Sequence, residues 1–353
     1  MCPGFCEVSG SGIGHHDAPN SVTKPQQSRG TSPGADPVLR RRNKLNCGCR
    51  PQMGRTLPSR VQRAVCGGTS AHGQGHDTSF SMIMQDTLGV PMADVNFHDS
   101  DTDTVALGVG TYGSHSLQTA GSGILVGSQR VLEKPKEIAA NLLEASVEDM
   151  ETNGTGLVVA GVPTSALTWA ELATAANDPQ ALPDGMEPGL AYEHDFDGQS
   201  ATYPFGSHVS VVEVDTDTGA VKMLRHIAVD DCGTILNPMI VNGQQHGGIA
   251  QGAAQVLYEQ ISFDELGNPM NSNLMSYLVP AASELPSFEV SNTETASPRN
   301  PLGAKGIGES GTIGSTPAIH NAVIDAVSHL GVSHIDMPCT PQAVWQAVTA
   351  AAT

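Results

Sequence analysis

Gly303-Ala304-Lys305-Gly306-Ile307-Gly308-Glu309-Ser310-Gly311 holds a single acid in a glycine-rich loop, ahead of an apolar-periodic helix that the spacing opens near Thr316-Pro317. Glycine lets the backbone take positive φ and come close to a ligand. A lone carboxylate in such a loop, once desolvated, is tuned toward the pKa of a general base. The same residues also read as a plain turn whose acid favours the positive end of the following helix. The remaining segments decide between the two.

The 353-residue chain is long enough for one large domain or two. No apolar run reaches the ~18 residues of a membrane-spanning helix. The N-terminus lacks a basic region followed by an apolar run, so no secretory signal is expected and the cytoplasm is the expected compartment. Charge is divided unevenly. Residues 1–65 hold ten of the seventeen Lys and Arg and three of the 36 acids, so the remainder carries 33 acids against seven bases. So acidic a body disfavours nucleic acid as a partner. The seven cysteines include no CxxC pair, and Cys47-Gly48-Cys49 is too tight for a zinc knuckle. Reduced thiols are expected.

Residues 1–64 are rich in Gly, Pro, Ser, Asn, Gln and Arg without periodicity, and read as a leader without fixed structure. From about residue 65 the texture is α+β, with two subdomains meeting near residues 205–215. Helices are expected at Thr78–Leu88, Ser128–Ala145 (kinked at Pro135), Leu167–Ala176, Val241–Gln260, Pro317–Leu330 and Pro341–Ala351. Strands are expected at Ala93–Phe97 and Gly156–Val162, and Pro179–Gly198 reads as a loop. His208–Val214 and Val221–Val229 form a hairpin about Thr216-Asp217-Thr218-Gly219.

Three further segments resemble ligand loops. Gly73-Gln74-Gly75-His76-Asp77-Thr78 precedes a helix, where backbone N–H groups bind anions or merely cap. Gly108-Val109-Gly110-Thr111-Tyr112-Gly113-Ser114-His115-Ser116 offers small residues and hydroxyls suited to phosphate oxygens or a flat ring, but no P-loop lysine. Asp230-Asp231-Cys232-Gly233 leads to the helix bearing Gln244, Gly247, Gly248 and Gln251 on one face. Glycine within a helix costs about 1 kcal/mol against alanine. Gly247, Gly248 and Gly252 therefore imply close approach of either another backbone or a planar ligand.

These four segments, in this order, resemble the molybdopterin-binding large subunit of the xanthine dehydrogenase family of molybdenum hydroxylases, most closely its aerobic carbon monoxide dehydrogenase branch. The motifs are HGQGHDT, DTDT…GTYGS, VDDCGTILNP, GQQHGGIAQG, GAKGIGES and the closing MPCTPQAVWQAV. The resemblance runs from about Cys66 to the C-terminus. It implies the second molybdopterin-binding domain of the aldehyde oxidase/xanthine dehydrogenase large subunit. It also implies a molybdenum–pterin cofactor in its cytosine dinucleotide form, with the metal held by the pterin and no direct protein ligand. Glu309 would accept a proton from the hydroxyl at the metal or position the substrate. Gln74 and Gln251 would contact the cofactor, Gly113 would lie beside the metal, and Ser114 and Ser116 would meet phosphate. Lys305 and Gly306 would line the cofactor near Glu309, and Gly75, His76, Asp231, Gln244 and Gly308 complete the implied contacts. Partners implied are an iron–sulfur small subunit, an FAD-binding medium subunit and the first half of the large subunit, for which this chain has no counterpart. Carbon monoxide, aldehydes and N-heterocycles are equally admissible substrates. A truncated, non-catalytic cofactor-binding fragment is the alternative.

Overall fold

The computed structural model describes residues 2–10, 43–49, 63–103, 105, 108, 110–198 and 201–352, those before Val65 by backbone alone. Its first strands are β1 (Cys2–Gly10), β2 (Asn43–Cys49) and β3 (Arg63–Cys66). β1 and β2 fall within the segment expected to lack fixed structure. β1 adds to a sheet edge, and β2 lies between β3 and a later strand. Pairing through backbone N–H and C=O needs no apolar alternation, so a Gly- and Pro-containing segment can join a sheet without showing a strand pattern. Pro3 stands in an edge strand, where a missing donor is tolerated. The rest of residues 1–64 lies outside the described residues.

The first layer continues with α1 (His76–Leu88), β4 (Val95–His98) and α2 (Ser122–Leu143). α1 ends at Gly89 in the left-handed conformation, as its apolar spacing predicts. α2 starts six residues earlier than expected, behind a π-turn at Leu117–Gly121, and continues through Pro135. The single strand expected at 156–162 is a hairpin, formed by β6 (Gly156–Val159) and β7 (Val162–Thr168) beside β5 (Met150–Thr152). Thr168 then caps α3 (Trp169–Ala175) in a reciprocal box with Glu171. The expected loop at 179–198 contains β8 (Tyr192–Phe196), which closes the sheet β4-β3-β2-β8. Phe80, Ile124, Ile138, Leu157 and Leu172 are fully buried between these elements. Each such side chain contributes about 1.5–3 kcal/mol.

The second layer is built on the hairpin of β9 (Phe205–Val214) and β10 (Val221–Asp231). Its turn is the predicted one, with Gly219 at φ +73°. A Cβ at 219 would overlap the Pro341 carbonyl. β9 buries His208, Ser210, Val212 and Val214, every second residue. A bulge at Leu224 keeps both Met223 and His226 on the inner face of β10, although three positions separate them. α4 (Pro238–Leu257) is capped by Asn237, whose side chain accepts from the Ile240 N–H at 3.1 Å. β11 (Glu289–Thr293) completes the sheet β1-β9-β10-β11. α5 (Ser310–Ser328) and α6 (Pro341–Ala351) close the chain.

The opening of α5 corrects the expected start near Thr316-Pro317 by two turns. Gly311 and Gly314 weaken helix propensity, but they fit. A Cβ at 311 would come within 2.7 Å of the Gln245 carbonyl, and one at 314 within 2.5 Å of the His208 ring. Packing therefore overrides propensity. The carbonyl that Pro317 cannot serve belongs to Ile313, an exposed residue. The second core collects Val212, Val214, Met223, Val256, Ile319, Val323 and Val327.

Candidate active site

The turn before α1 places Gly73 and Gly75 at φ +97° and +74°. A Cβ at 75 would meet the Ile240 side chain at 2.7 Å, so this glycine joins the turn to α4. His76 follows, buried and stacked on Phe80 at 5.0 Å. Burial holds its pKa below the ordinary histidine range, with His72 adding to the shift and Asp99 opposing it. Its Nδ1 is buried without a hydrogen-bond partner.

The second loop is fixed by Thr111, whose hydroxyl donates to the Ser70 carbonyl at 2.6 Å and lies 3.1 Å from Ser116 Oγ. Gly113 and Ser114 both take positive φ, +55° and +49°. Nothing lies within 4 Å of a Cβ built at Gly113, so its backbone faces open space. Val109 lies outside the described residues.

The third wall is the β10 end and the start of α4. The fourth is the glycine-rich loop. Lys305 donates its backbone N–H to the Cys232 carbonyl at 2.8 Å, and a bridge joins Gly233 to Ala304. Gly306 lies so near Ser114 that a Cβ there would overlap the Ser114 carbonyl. Ser114 Oγ in turn donates to Glu309 Oε2 at 2.8 Å.

Together these segments enclose a cavity of about 380 Å³. It is lined by ten of the expected residues: Gln74, His76, Gly113, Ser114, Ser116, Gln244, Lys305, Gly306, Gly308 and Glu309. Three expected residues stand elsewhere. Gly75 packs on Ile240. Gln251 is exposed on α4, accepting from the Thr312 hydroxyl at 3.2 Å. Asp231 is fully buried behind the wall. Of the helical glycines, Gly248 and Gly252 face α5, while Gly247 faces open space.

Lys305 lines the cavity, but its ammonium turns away to Asp231 Oδ1 at 2.7 Å and lies 4.5 Å over the Phe205 ring. Burial alone would raise the Asp231 pKa. The bonds from Lys305, the Gly233 N–H, Thr295 and Thr293 outweigh it and hold the carboxyl below its ordinary range. Glu309 is exposed at the rim, with Ser114 as its hydroxyl partner. The site is a carboxylate set over a pocket of amides, hydroxyls and backbone groups, suited to holding a polar planar ligand and moving a proton at one edge. Among the described residues, no group of three His, Cys, Asp or Glu side chains is placed to hold a bare metal ion. None of their helices is long and apolar enough to cross a membrane.

The sequence reading missed the apolar part of the lining, Leu236, Ile240 and Val241, and the thiol Cys232. Burial, with Asp231 and Glu294 nearby, pushes that thiol up to about 11. It also missed a buried polar network beneath the site. His208 Nδ1 lies 3.1 Å from His226 Nε2, and His208 Nε2 lies 3.3 Å from Asp230 Oδ1. Gln245 Nε2 donates to Asp230 Oδ2 at 2.8 Å. Alternation along β9 was the available signal, since it puts His208 and Ser210 in line with Val212 and Val214.

The profile of the molybdopterin cofactor-binding domain family matches residues 63–286. The carbon monoxide dehydrogenase large chain of Hydrogenophaga pseudoflava is 41% identical over 281 residues, covering 80% of this chain and 35% of that one. The nicotine 6-hydroxylase large subunit of Paenarthrobacter nicotinovorans is 35% identical over 284 residues, covering 80% of this chain and 35% of its own length. The crystal structure of a Cu,Mo-CO dehydrogenase superimposes with a TM-score of 0.78 at 36% identity, covering 88% of this chain and 38% of that one. The chain thus spans about a third of the length of the relatives it matches. By this sequence match and this fold, it belongs to the molybdopterin cofactor-binding domains of the xanthine dehydrogenase family of molybdenum hydroxylases.

Proposed function

We propose that this chain forms the cofactor-holding part of a molybdenum hydroxylase, with Glu309 as the base of the reaction. The observation that carries this reading is the convergence of four separate glycine-rich segments on a single cavity rimmed by that carboxylate. The residues fit a molybdenum–pterin cofactor. His76 Nδ1 is an orphaned buried polar atom beside the cavity, and the open backbone at Gly113 can be approached by a planar group. The volume lies in the range of small-molecule sites, roughly 300–1,000 Å³.

Molybdenum held by the pterin supplies the oxidation and the transfer of water-derived oxygen; the protein supplies binding, orientation and the base. Gln74 Oε1 is engaged by the His72 N–H, which leaves its amide NH2 to donate to the cofactor. Ser116, Gln244 and the backbone of Gly306 and Gly308 hold its polar edge. Ser114 orients the Glu309 carboxylate, which takes a proton at Oε1 or Oε2 during turnover. The cytosine dinucleotide form of the pterin, the cytoplasmic location, and partner subunits carrying iron–sulfur clusters, FAD and the first half of the large chain belong to the same proposal. Carbon monoxide, aldehydes and N-heterocycles are its candidate substrates. A second reading, a cofactor-binding chain that does not turn over, is favoured by the exposure of Glu309.

Molybdenum analysis of the chain purified from a cofactor-making host tests the cavity. Bound molybdenum that is lost in Gly306→Val supports it, and equal metal in both overturns it. Glu309→Gln tests the base. Turnover in the assembled complex should vanish while molybdenum content is kept, and surviving turnover overturns the role.

A further inference from the structure

We propose that Gln245 is a positioning residue for the cavity-lining face of α4, held by a directed chain of buried hydrogen bonds that runs from Ser210 through His226 and His208 to Asp230. Ser210 Oγ lies 2.7 Å from His226 Nδ1, His226 Nε2 lies 3.1 Å from His208 Nδ1, and His208 Nε2 lies 3.3 Å from Asp230 Oδ1. Gln245 Nε2 donates to the other carboxylate oxygen, Asp230 Oδ2, at 2.8 Å. All five residues are at most 2% exposed. A carboxylate only accepts, and a neutral imidazole has one donor and one acceptor nitrogen. Asp230 therefore requires a proton on His208 Nε2. His226 is neutral, since burial, with His208 adding to it, pushes its pKa down to about 3. With one proton on each ring, His208 Nδ1 accepts from His226 Nε2, and His226 Nδ1 accepts from the Ser210 hydroxyl. All three bonds then point toward Asp230. The Gln245 amide is fixed as well, because turned over it would set its Oε1 against the carboxylate.

The chain ends on the helix that forms one wall of the cavity. Asn237, Ile240, Val241 and Gln244 line that wall from positions i, i+3, i+4 and i+7. Gln245 stands about 100° further round the helix, behind the wall. On the side away from the cavity it is the one fully buried side chain between Pro238 and Gly248. Gly248, the next inward position, brings α5 close but has no side chain to interlock with it. Asn242 meets Asn292 at 3.3 Å, but that contact is exposed. Gln245 Nε2 also reaches the Ser291 carbonyl at 3.4 Å, so one amide ties α4 to both β10 and β11. An apolar side chain at 245 would fill the space and leave an Asp230 oxygen buried without its donor. The rotation of α4, and with it the aim of Gln244 into the cavity, is therefore set by a polar group that does not line the cavity.

The anchor rests on geometry; that the anchored face holds a cofactor rests on the function proposed above. Nitrogen-15 NMR of the histidine rings in the full chain at pH 7 tests the anchor first. His208 and His226 should both carry the proton on Nε2 and leave Nδ1 bare. In Asp230→Asn the side-chain amide donates to His208 and still accepts from Gln245, so the chain stays connected and reverses. Both rings should then carry the proton on Nδ1. Hydrogen exchange over residues 240–248 should stay as in the parent in Asp230→Asn. It should rise about tenfold in Gln245→Met, which keeps the shape and loses the donor, because a segment without its anchor opens locally. Exchange over 211–214 should be unchanged in both variants. Any other tautomer pattern overturns the proposal, and the parent's pattern decides even where Gln245→Met fails to fold. Unchanged exchange over 240–248 in Gln245→Met also overturns it. So does an equal rise over 211–214, which would show that the network merely supports the fold. Bound molybdenum should fall in Gln245→Met and be kept in Asp230→Asn. If exchange rises as expected and molybdenum does not fall, the anchor stands and the cofactor reading alone has failed.

Discussion

The two ends of the β9–β10 hairpin face the same helices with opposite chemistry. At the turn end, Val212, Val214 and Met223 pack against Ile319, Val323 and Val327, with no polar atom to satisfy. At the other end, His208, Ser210, His226 and Asp230 occupy equally buried inward positions, and Asp231 is buried on the opposite side of the strand. The apolar end gains from simple burial. The polar end must satisfy every donor and acceptor, since a buried polar group without a partner costs roughly 1–3 kcal/mol. A fold that needed only stability would continue the valines. The polar end is where the hairpin meets the cavity, and its groups reach the loop that bears Glu309. Stability is concentrated at one end of a single sheet and positioning at the other.

The largest effect should come from breaking the polar end at its charge pair. Asp231→Asn should lower unfolding free energy by about 3–5 kcal/mol, the cost of leaving Lys305 buried and unpaired. Denaturant unfolding measures it, and a loss below about 1 kcal/mol would mean that solvent reaches the pair. At the apolar end, Ile319→Ala should cost about 2–5 kcal/mol through lost burial and a residual cavity. Its hydrogen exchange over 240–248 should rise no more than elsewhere, which distinguishes the two ends in a single experiment.

Acid sharpens the contrast. Burial, with His208 adding to it, pushes the His226 imidazole down to about 3, against the opposing charge of Asp230. In the unfolded chain the same group takes its proton near 6.5. Between these values the unfolded state binds the extra proton, so stability falls as pH is lowered from about 6.5, by up to ~1.4 kcal/mol per pH unit. For Asp230, burial by itself would raise the pKa, but the bonds from His208 and Gln245 hold it low, so its contribution is likewise lost on acidification. Thermal melts of the parent and His226→Gln between pH 7 and 5 should show a flatter dependence in the variant. Equal slopes would place the acid-sensitive group elsewhere. The smallest effect is expected for Glu309→Gln, whose exposed side chain should change stability by no more than about 0.5 kcal/mol. A larger loss would mean that Glu309 is part of the framework.

Much of the framework was legible in the sequence, because period and punctuation set it locally. The β9–β10 turn, the stop of α1 at Gly89 and the whole of α6 follow from patterns a few residues long. Pairings made through the backbone were not legible. β1 and β2 join sheets without an apolar alternation to announce them, whereas β8 alternates Tyr192, His194 and Phe196 with Glu193 and Asp195 in a segment read as a loop. The start of α5 was hidden for a related reason: Gly311 and Gly314 weaken a helix in isolation and are allowed only because α4 and His208 lie against them. At the site, the motifs marked the residues that line the cavity. They did not distinguish lining from support, since Asp231 and Lys305 sit in the same motifs as residues that line the cavity. Only their 2.7 Å contact, across 74 positions of sequence, separates the two roles.

The crossing of α4 and α5 has a consequence for how this chain can vary. A Cβ at Gly248 would stand 3.0 Å from Gly311 Cα, and one at Gly311 would stand 3.0 Å from Gly248 Cα. Neither position has room to drift by itself, and enlarging either one shifts the helix that begins with Ser310. For selection the two glycines behave as a single heritable character, and the spacing of the helices is inherited together with the placement of the acid.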